Sequence, residues 1–88
     1  MTDAELREIL QQHLVSLHTT RRQRKDKEAQ LEQWSRRATL AASEGREDLK
    51  QAALKECRHL LDTIEQIKSD ERSMEAEIET VRAEARAD

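Results

Sequence analysis

Apolar residues recur along both halves of this chain at alternating steps of three and four residues. In the second half only one such position, Glu71, is polar. In the first half the polar exceptions are His13, Thr20, Arg24 and Lys27. The apolar positions are Leu6, Leu10, Leu17, Leu31, Trp34, Ala38 and Ala41, then Ala53, Cys57, Leu60, Ile64, Ile67, Met74, Ile78, Val81 and Ala85. Such spacing places one stripe of side chains, here called the seam, along each of two long coiled-coil helices.

A single glycine separates the two seams. Gly45 suits the left-handed backbone position that often ends a helix. Asp48 followed by Gln51 predicts an N-cap with a capping-box partner for the second helix. A connection of two to four residues favours antiparallel packing of the helices that it joins. The pattern therefore predicts an all-α fold, an antiparallel two-helix coiled-coil hairpin.

The predicted hairpin is one unit over residues 1–88. Its boundaries are helix 1 at about 3–43, a turn at about 44–46 and helix 2 at about 47–86. Each helix is then about 60 Å long at 1.5 Å per residue. In such a hairpin, seam residues pair when their numbers sum to about 91.

This register makes the ends of the hairpin apolar and its middle polar. The end pairs are Leu6 with Ala85, Leu10 with Val81, Leu31 with Leu60, Trp34 with Cys57 and Ala38 with Ala53. In the middle, Lys27 faces Ile64, Arg24 faces Ile67 and Thr20 faces Glu71. Long basic side chains can cover an isoleucine with their methylene groups while their charges stay in water.

Composition excludes several classes of fold and partner. Of 88 residues, 40% are charged, Trp34 is the one aromatic, Gly occurs once and Pro is absent. Sandwiches and barrels need β-branched and aromatic strands joined by Gly or Pro turns, and nucleotide-binding folds need glycine-rich loops. The net charge of −3 gives no general attraction to nucleic acid. The two halves differ, at +1 for residues 1–44 and −4 for residues 45–88.

The residues that could carry chemistry do not converge. His13 and His18 lie on different faces of a helix, and so do Cys57 and His59. A zinc site needs three or four converging ligands, so we expect no metal, no catalytic residue, no cofactor and no small-molecule substrate. The lone Cys57 permits no disulfide within the chain, which suits a reducing, cytoplasmic environment. We interpret Cys57 as a small seam residue.

Nucleic acid and lipid are the weaker interpretations of two further segments. Five of the seven residues from Arg21 to Lys27 are basic, but acidic residues interrupt the run and no stacking aromatics accompany it. We interpret the run as the intramolecular partner of the acidic part of helix 2. The start of helix 1 is amphipathic but lacks a basic polar face, so we expect seam packing rather than membrane insertion.

Several apolar residues lie off the seam or lack an apolar partner across it. Extra apolar residues beside a two-helix seam are typical of a surface on which another helix docks. The candidate partner-binding residues are Leu40, Leu49, Leu54, Leu61, Ile64 and Ile67.

The segment around the turn resembles the phage shock protein A (PspA) family. The resemblance covers roughly residues 30–60. The similar residues are Trp34-Ser35-Arg36-Arg37-Ala38, Ala41, Gly45-Arg46-Glu47-Asp48-Leu49, Ala52-Ala53-Leu54 and Glu56. In that family this pattern lies at the tip of a long antiparallel helical hairpin. The resemblance therefore implies the same position for it here.

The resemblance also implies a function. Family members resemble ESCRT-III proteins, remodel or protect the bacterial inner membrane under stress, and in some cases inhibit an AAA+ transcription activator through the hairpin. For this chain we expect a non-enzymatic hairpin that binds itself, a PspA-related protein or an AAA+ protein, in the cytoplasm or at the inner membrane through such a partner. The alternative is a free-standing cytosolic coiled-coil adaptor or a secretion-type chaperone.

Overall fold

Two long antiparallel helices form the fold of the described residues. The computed structural model describes residues 1–87, with helix α1 at Asp3–Ser43 and helix α2 at Glu47–Arg86. The molecule measures 66 × 14 × 13 Å, which is one helix long and two helices wide. These bounds agree with those expected from the seam pattern and the glycine. The all-α, antiparallel hairpin fold is confirmed.

The turn reverses the chain through a Schellman motif. The Arg46 amide donates a hydrogen bond to the carbonyl of Ala41 (2.9 Å), and the Gly45 amide donates one to the carbonyl of Ala42 (3.2 Å). Gly45 has φ +72°, the left-handed conformation that this motif requires. Two carbonyls at the end of α1 thus accept hydrogen bonds from residues of a three-residue turn, and α2 begins directly after this turn.

The predicted capping of α2 is wrong. The N-cap residue is Arg46, and no side chain caps this helix end. Because the turn needs only three residues, Asp48 lies inside the first helical turn rather than before it. Its carboxylate accepts hydrogen bonds from the Arg46 guanidinium at 3.4 Å, and Gln51 donates to Glu47 instead. A carboxylate in the first turn still interacts favourably with the helix dipole.

A capping box is present at the start of α1, where sequence analysis did not place one. The Thr2 hydroxyl accepts a hydrogen bond from the Glu5 amide (3.2 Å), and the Thr2 amide donates to the Glu5 carboxylate (3.5 Å). The Thr-x-x-Glu spacing at residues 2–5 is the signal that could have identified it.

The apolar core is the seam between the helices. Buried apolar residues occur from one end of the hairpin to the other: Leu6, Leu17, Ala38, Ala41, Ala53, Cys57, Leu60, Ile64 and Ile78. At the open end Leu6, Leu10, Val81 and Ala85 line one groove, as expected for pairs that sum to 91. Direct contact between Trp34 and Cys57 stays a prediction. Cys57 is buried and Trp34 is half-buried.

We predict that Gly45→Ala lowers the free energy of unfolding by about 1–2 kcal/mol, because an L-residue pays that cost in the left-handed conformation. No atom lies within 4 Å of the position that a Cβ would take, so the effect is one of backbone conformation. Gly45→Asn is the control and loses less, since Asn tolerates this conformation. Urea denaturation followed by circular dichroism measures both. Equal stability of wild type and Gly45→Ala would contradict the account of the turn.

We predict that spin labels at residues 10 and 81 lie close together, within about 20 Å including the label linkers, because both positions line the open-end groove. Double electron–electron resonance measures the distance. A separation of about 60 Å or more would instead indicate an opened, continuous helix.

Candidate protein-binding surfaces

A charged network crosses the middle of the seam. The Glu71 side chain is only 8% exposed, and its carboxylate accepts a hydrogen bond from Arg24 at 2.5 Å. Arg21 lies 4.0 Å from the same carboxylate. Each arginine has a second acidic neighbour, Glu28 for Arg24 (2.9 Å) and Glu75 for Arg21 (3.1 Å). The network therefore joins both helices around one buried carboxylate.

The polar groups around Glu71 are satisfied. Hydrogen bonding to Glu71, and then to Glu28, raises the pKa of the Arg24 guanidinium above its ordinary value, so Arg24 stays charged. The buried hydroxyl of Thr20 donates to the Ser16 carbonyl at 2.9 Å. Within residues 1–87 no buried side-chain nitrogen or oxygen lacks a hydrogen-bond partner. The basic residues Arg21 and Arg24 thus serve as intramolecular partners of helix α2, as expected.

An apolar groove of about 280 Å³ lies beside the turn, and we call it the turn groove. It is lined by Trp34, Arg37, Leu40, Ala41, Glu44, Leu49, Ala52 and Ala53. Leu40 is 58% exposed and Leu49 is 48% exposed, so both leucines are accessible to solvent at the edges of the turn groove. The structure thus brings two of the predicted partner-binding residues together with the single tryptophan.

Trp34 is held in this groove from one side. The Arg37 guanidinium lies 4.6 Å from the centre of the indole ring, a cation–π contact. The indole is half-buried, because one helix neighbour cannot cover a ring of this size. Tryptophan and arginine are enriched among the few residues that supply most of the free energy of protein binding.

Leu54 and Leu61 lie on the opposite side of the seam from the turn groove. Ala52 lines the groove and Ala53 is buried in the seam. Each further residue rotates by about 100° around a helix, so Leu54 lies past the seam on the far side. Leu61 follows seven residues later, two turns along the same side. It is 49% exposed, whereas Leu54 is half-buried. The leucines predicted to bind a partner therefore lie on two separate surfaces, one on each side of the seam.

The assignment of Ile64 to a partner surface is wrong for the hairpin. Ile64 is 5% exposed and Ile67 is half-buried. Lys27 and Arg24, the residues expected opposite them, are also half-buried, consistent with basic side chains that cover the isoleucines with their methylene groups. Ile64 is thus covered within the chain, and Ile67 offers only part of its surface.

Sequence analysis missed one exposed apolar pair. Val15 is 55% exposed and Leu14 is 36% exposed, both in the open half of α1. Val15 lies two residues past the seam position His13, and that offset is the signal that could have identified it. His13 itself lies 3.4 Å from Glu77 across the seam.

No group of three or more His, Cys, Asp or Glu side chains within residues 1–87 is placed to hold a metal ion. In the same range, neither helix is apolar enough over a sufficient length to cross a membrane. The thiol of Cys57 is buried in the seam.

Comparisons of the chain with protein-family models, curated proteins and solved structures find no match.

We predict that replacing both Arg24 and Glu71 by Leu raises the melting temperature by about 5 °C or more, because apolar residues that replace a buried ion pair often stabilise a fold. The same variant should populate additional oligomers, since polar seam positions restrict register and oligomeric state at a cost in stability. Calorimetry and light scattering measure the two effects.

Arg24→Leu alone is the control, and it should lower the melting temperature. It leaves the buried Glu71 carboxylate with Arg21, at 4.0 Å, as its remaining cation. A double variant that melts below wild type would mean that the network is net stabilising, contrary to this prediction.

Proposed function

We propose that this chain is a non-enzymatic helical hairpin that acts by binding other proteins through the turn groove. The observation that carries the proposal is the grouping of Trp34 with exposed Leu40 and Leu49 in one apolar depression. Apolar surface of this kind gains free energy when a helix with an apolar face covers it. The seam cannot serve this role, because its side chains already pack against each other.

The resemblance of residues 30–60 to the PspA family supports a more specific form of the proposal. The residues that carry the resemblance include Trp34, Leu49 and Ala52, which line the groove. The proposed partner is accordingly a second copy of this chain, a PspA-related protein or an AAA+ protein. In that case the hairpin takes part in a membrane-stress response, in membrane remodelling or in regulating an AAA+ activator. It acts in the cytoplasm and reaches the inner membrane through its partner.

We predict that Leu40→Ser with Leu49→Ser reduces partner capture at least tenfold, which corresponds to about 1.4 kcal/mol of binding free energy. The measurement is affinity purification from the host cell with identification by mass spectrometry. Val15→Ser is the matched control, because Val15 is equally exposed but lies outside the groove. Circular dichroism should show the same helical content for all three proteins.

Three outcomes separate the possible functions. Recovery of a PspA-related or AAA+ protein by wild type and Val15→Ser, but not by the groove variant, supports the proposal. Equal recovery by all three proteins contradicts a role for the turn groove. Groove-dependent recovery of an unrelated export substrate would replace the PspA-like function by that of a secretion-type chaperone.

A further inference from the structure

The two sides of the hairpin carry opposite charge. We define the groove side as the side of the turn groove and the leucine side as the side of Leu54 and Leu61. A side consists of the residues that directly flank the seam. Arg21 and Glu75 flank it on the leucine side of α1 and α2, and their 3.1 Å ion pair places them together. The helical repeat assigns the other flanking residues in steps of seven.

The charged residues of the groove side are Arg37, Glu44, Glu56, Asp70, Glu77 and Glu84, one basic and five acidic, for a net charge of −4. Those of the leucine side are Arg7, Arg21, Lys68, Arg82, Glu28, Glu47 and Glu75, four basic and three acidic, for a net charge of +1. Complementary potentials of this kind favour one approach of two surfaces over others.

The apolar features of the two sides lie at the same distance from the turn. At 1.5 Å per residue, Leu54 lies about 13 Å along the hairpin from Gly45. The turn groove extends from Leu49, about 6 Å from Gly45, to Trp34, about 17 Å from it. If two hairpins lie side by side with their turns at the same end, Leu54 of one falls within the groove of the other. No shift along the axis is needed.

The charges align in the same arrangement. Lys68 and Asp70 are each about 35–38 Å from the turn, and Arg82 and Glu84 are each about 56–59 Å from it. Lys68 and Arg82 on the leucine side thus each lie level with an acidic residue on the groove side of the next hairpin. Two like-charged pairs remain, Glu75 against Glu77 between these contacts and Glu47 against Glu44 beside the turn. Glu75 is already neutralised by Arg21 and Glu77 lies 3.4 Å from His13, within their own chain.

From this complementarity we propose that the occupant of the turn groove is a second copy of this chain, bound through its leucine side. The inference rests on the proposed protein-binding role of the groove and names its partner. Because the two contacting surfaces differ, each bound copy leaves one groove and one leucine side free. Association is therefore open-ended and yields side-by-side rows of hairpins rather than a closed dimer.

Mixing two variants tests the arrangement. Leu40→Ser with Leu49→Ser removes the groove side, and Leu54→Ser with Leu61→Ser removes the leucine side. We expect wild type to grow in mass with concentration and each variant alone to have the mass of one chain, 10.3 kDa. An equimolar mixture should form a species of twice that mass, because each variant retains the side that the other lacks. Light scattering with size-exclusion chromatography measures the masses.

A charge-reversal variant covers the case in which the half-buried Leu54 is needed for folding. Lys68→Glu with Arg82→Glu changes the exposed Arg82 and Lys68, whose side chain is 44% exposed, and it should also have the mass of one chain. Adding a variant with Asp70→Lys and Glu84→Lys should restore association in the mixture. Val15→Ser is the control that keeps the mass of wild type, and salt should weaken wild-type association by screening these pairs.

The outcomes distinguish this proposal from the broader one. A wild type that stays at 10.3 kDa overturns self-association, whereas groove-dependent capture of another protein would leave the proposed function intact. Association that depends on only one of the two sides, or a mixture that stays monomeric, indicates a different interface and also overturns the proposal. If wild type associates with itself but captures no other protein from the host cell, the result counts against a PspA-related or AAA+ partner and not against the rows of hairpins.

Discussion

Each helix of this protein has one neighbour, and the rest of the structure depends on that constraint. In a bundle a helix can bury two faces, but here the molecule is two helices wide, and over residues 1–87 the single seam is the whole apolar core. Seam spacing therefore decides which residues are covered. Any apolar residue outside the seam, such as Leu40 or Leu61, stays in solvent unless another molecule covers it. The exposed leucines follow directly from the thinness of the fold.

The central charged network restricts how the two seams can align. Apolar pairs at both ends would tolerate other registers, since leucines and alanines pack against each other with little specificity. Glu71 does not tolerate other registers, because a shift of one helix along the other would move its buried carboxylate away from Arg24. Leaving a buried charge without its partner costs far more than losing an exposed ion pair. The polar middle thus selects the register, and the apolar ends supply most of the stability.

The turn sets where a partner could bind. The Schellman motif joins α1 to α2 through only three residues, so Leu40 and Leu49 lie at the same end of the hairpin as Trp34. A longer loop would separate them. With the leucine side at the same level and of opposite charge, the surface of the hairpin is two-sided. A two-sided surface suits the proposed role of a protein that binds others, its own copies included.

Sequence alone determined the two helices, their bounds and their antiparallel pairing. Seam spacing and a left-handed glycine are local properties, so they can be read without knowing the fold. The sequence did not determine the capping of α2, because the backbone hydrogen bonds that Arg46 and Gly45 donate in the turn place Asp48 inside the helix. Nor did it determine the fate of Ile64, whose burial requires cover from the opposite helix.

The candidate partner-binding surfaces were also predicted from the sequence only in part. The pattern identified Leu40, Leu49, Leu54 and Leu61 as lying off the seam, because that follows from spacing along each helix. Only the tertiary structure decided that the first two share a groove with Trp34 while the other two lie across the seam. The grouping depends on which residues of α1 and α2 meet on one side when the hairpin closes, and spacing within one helix carries no such information.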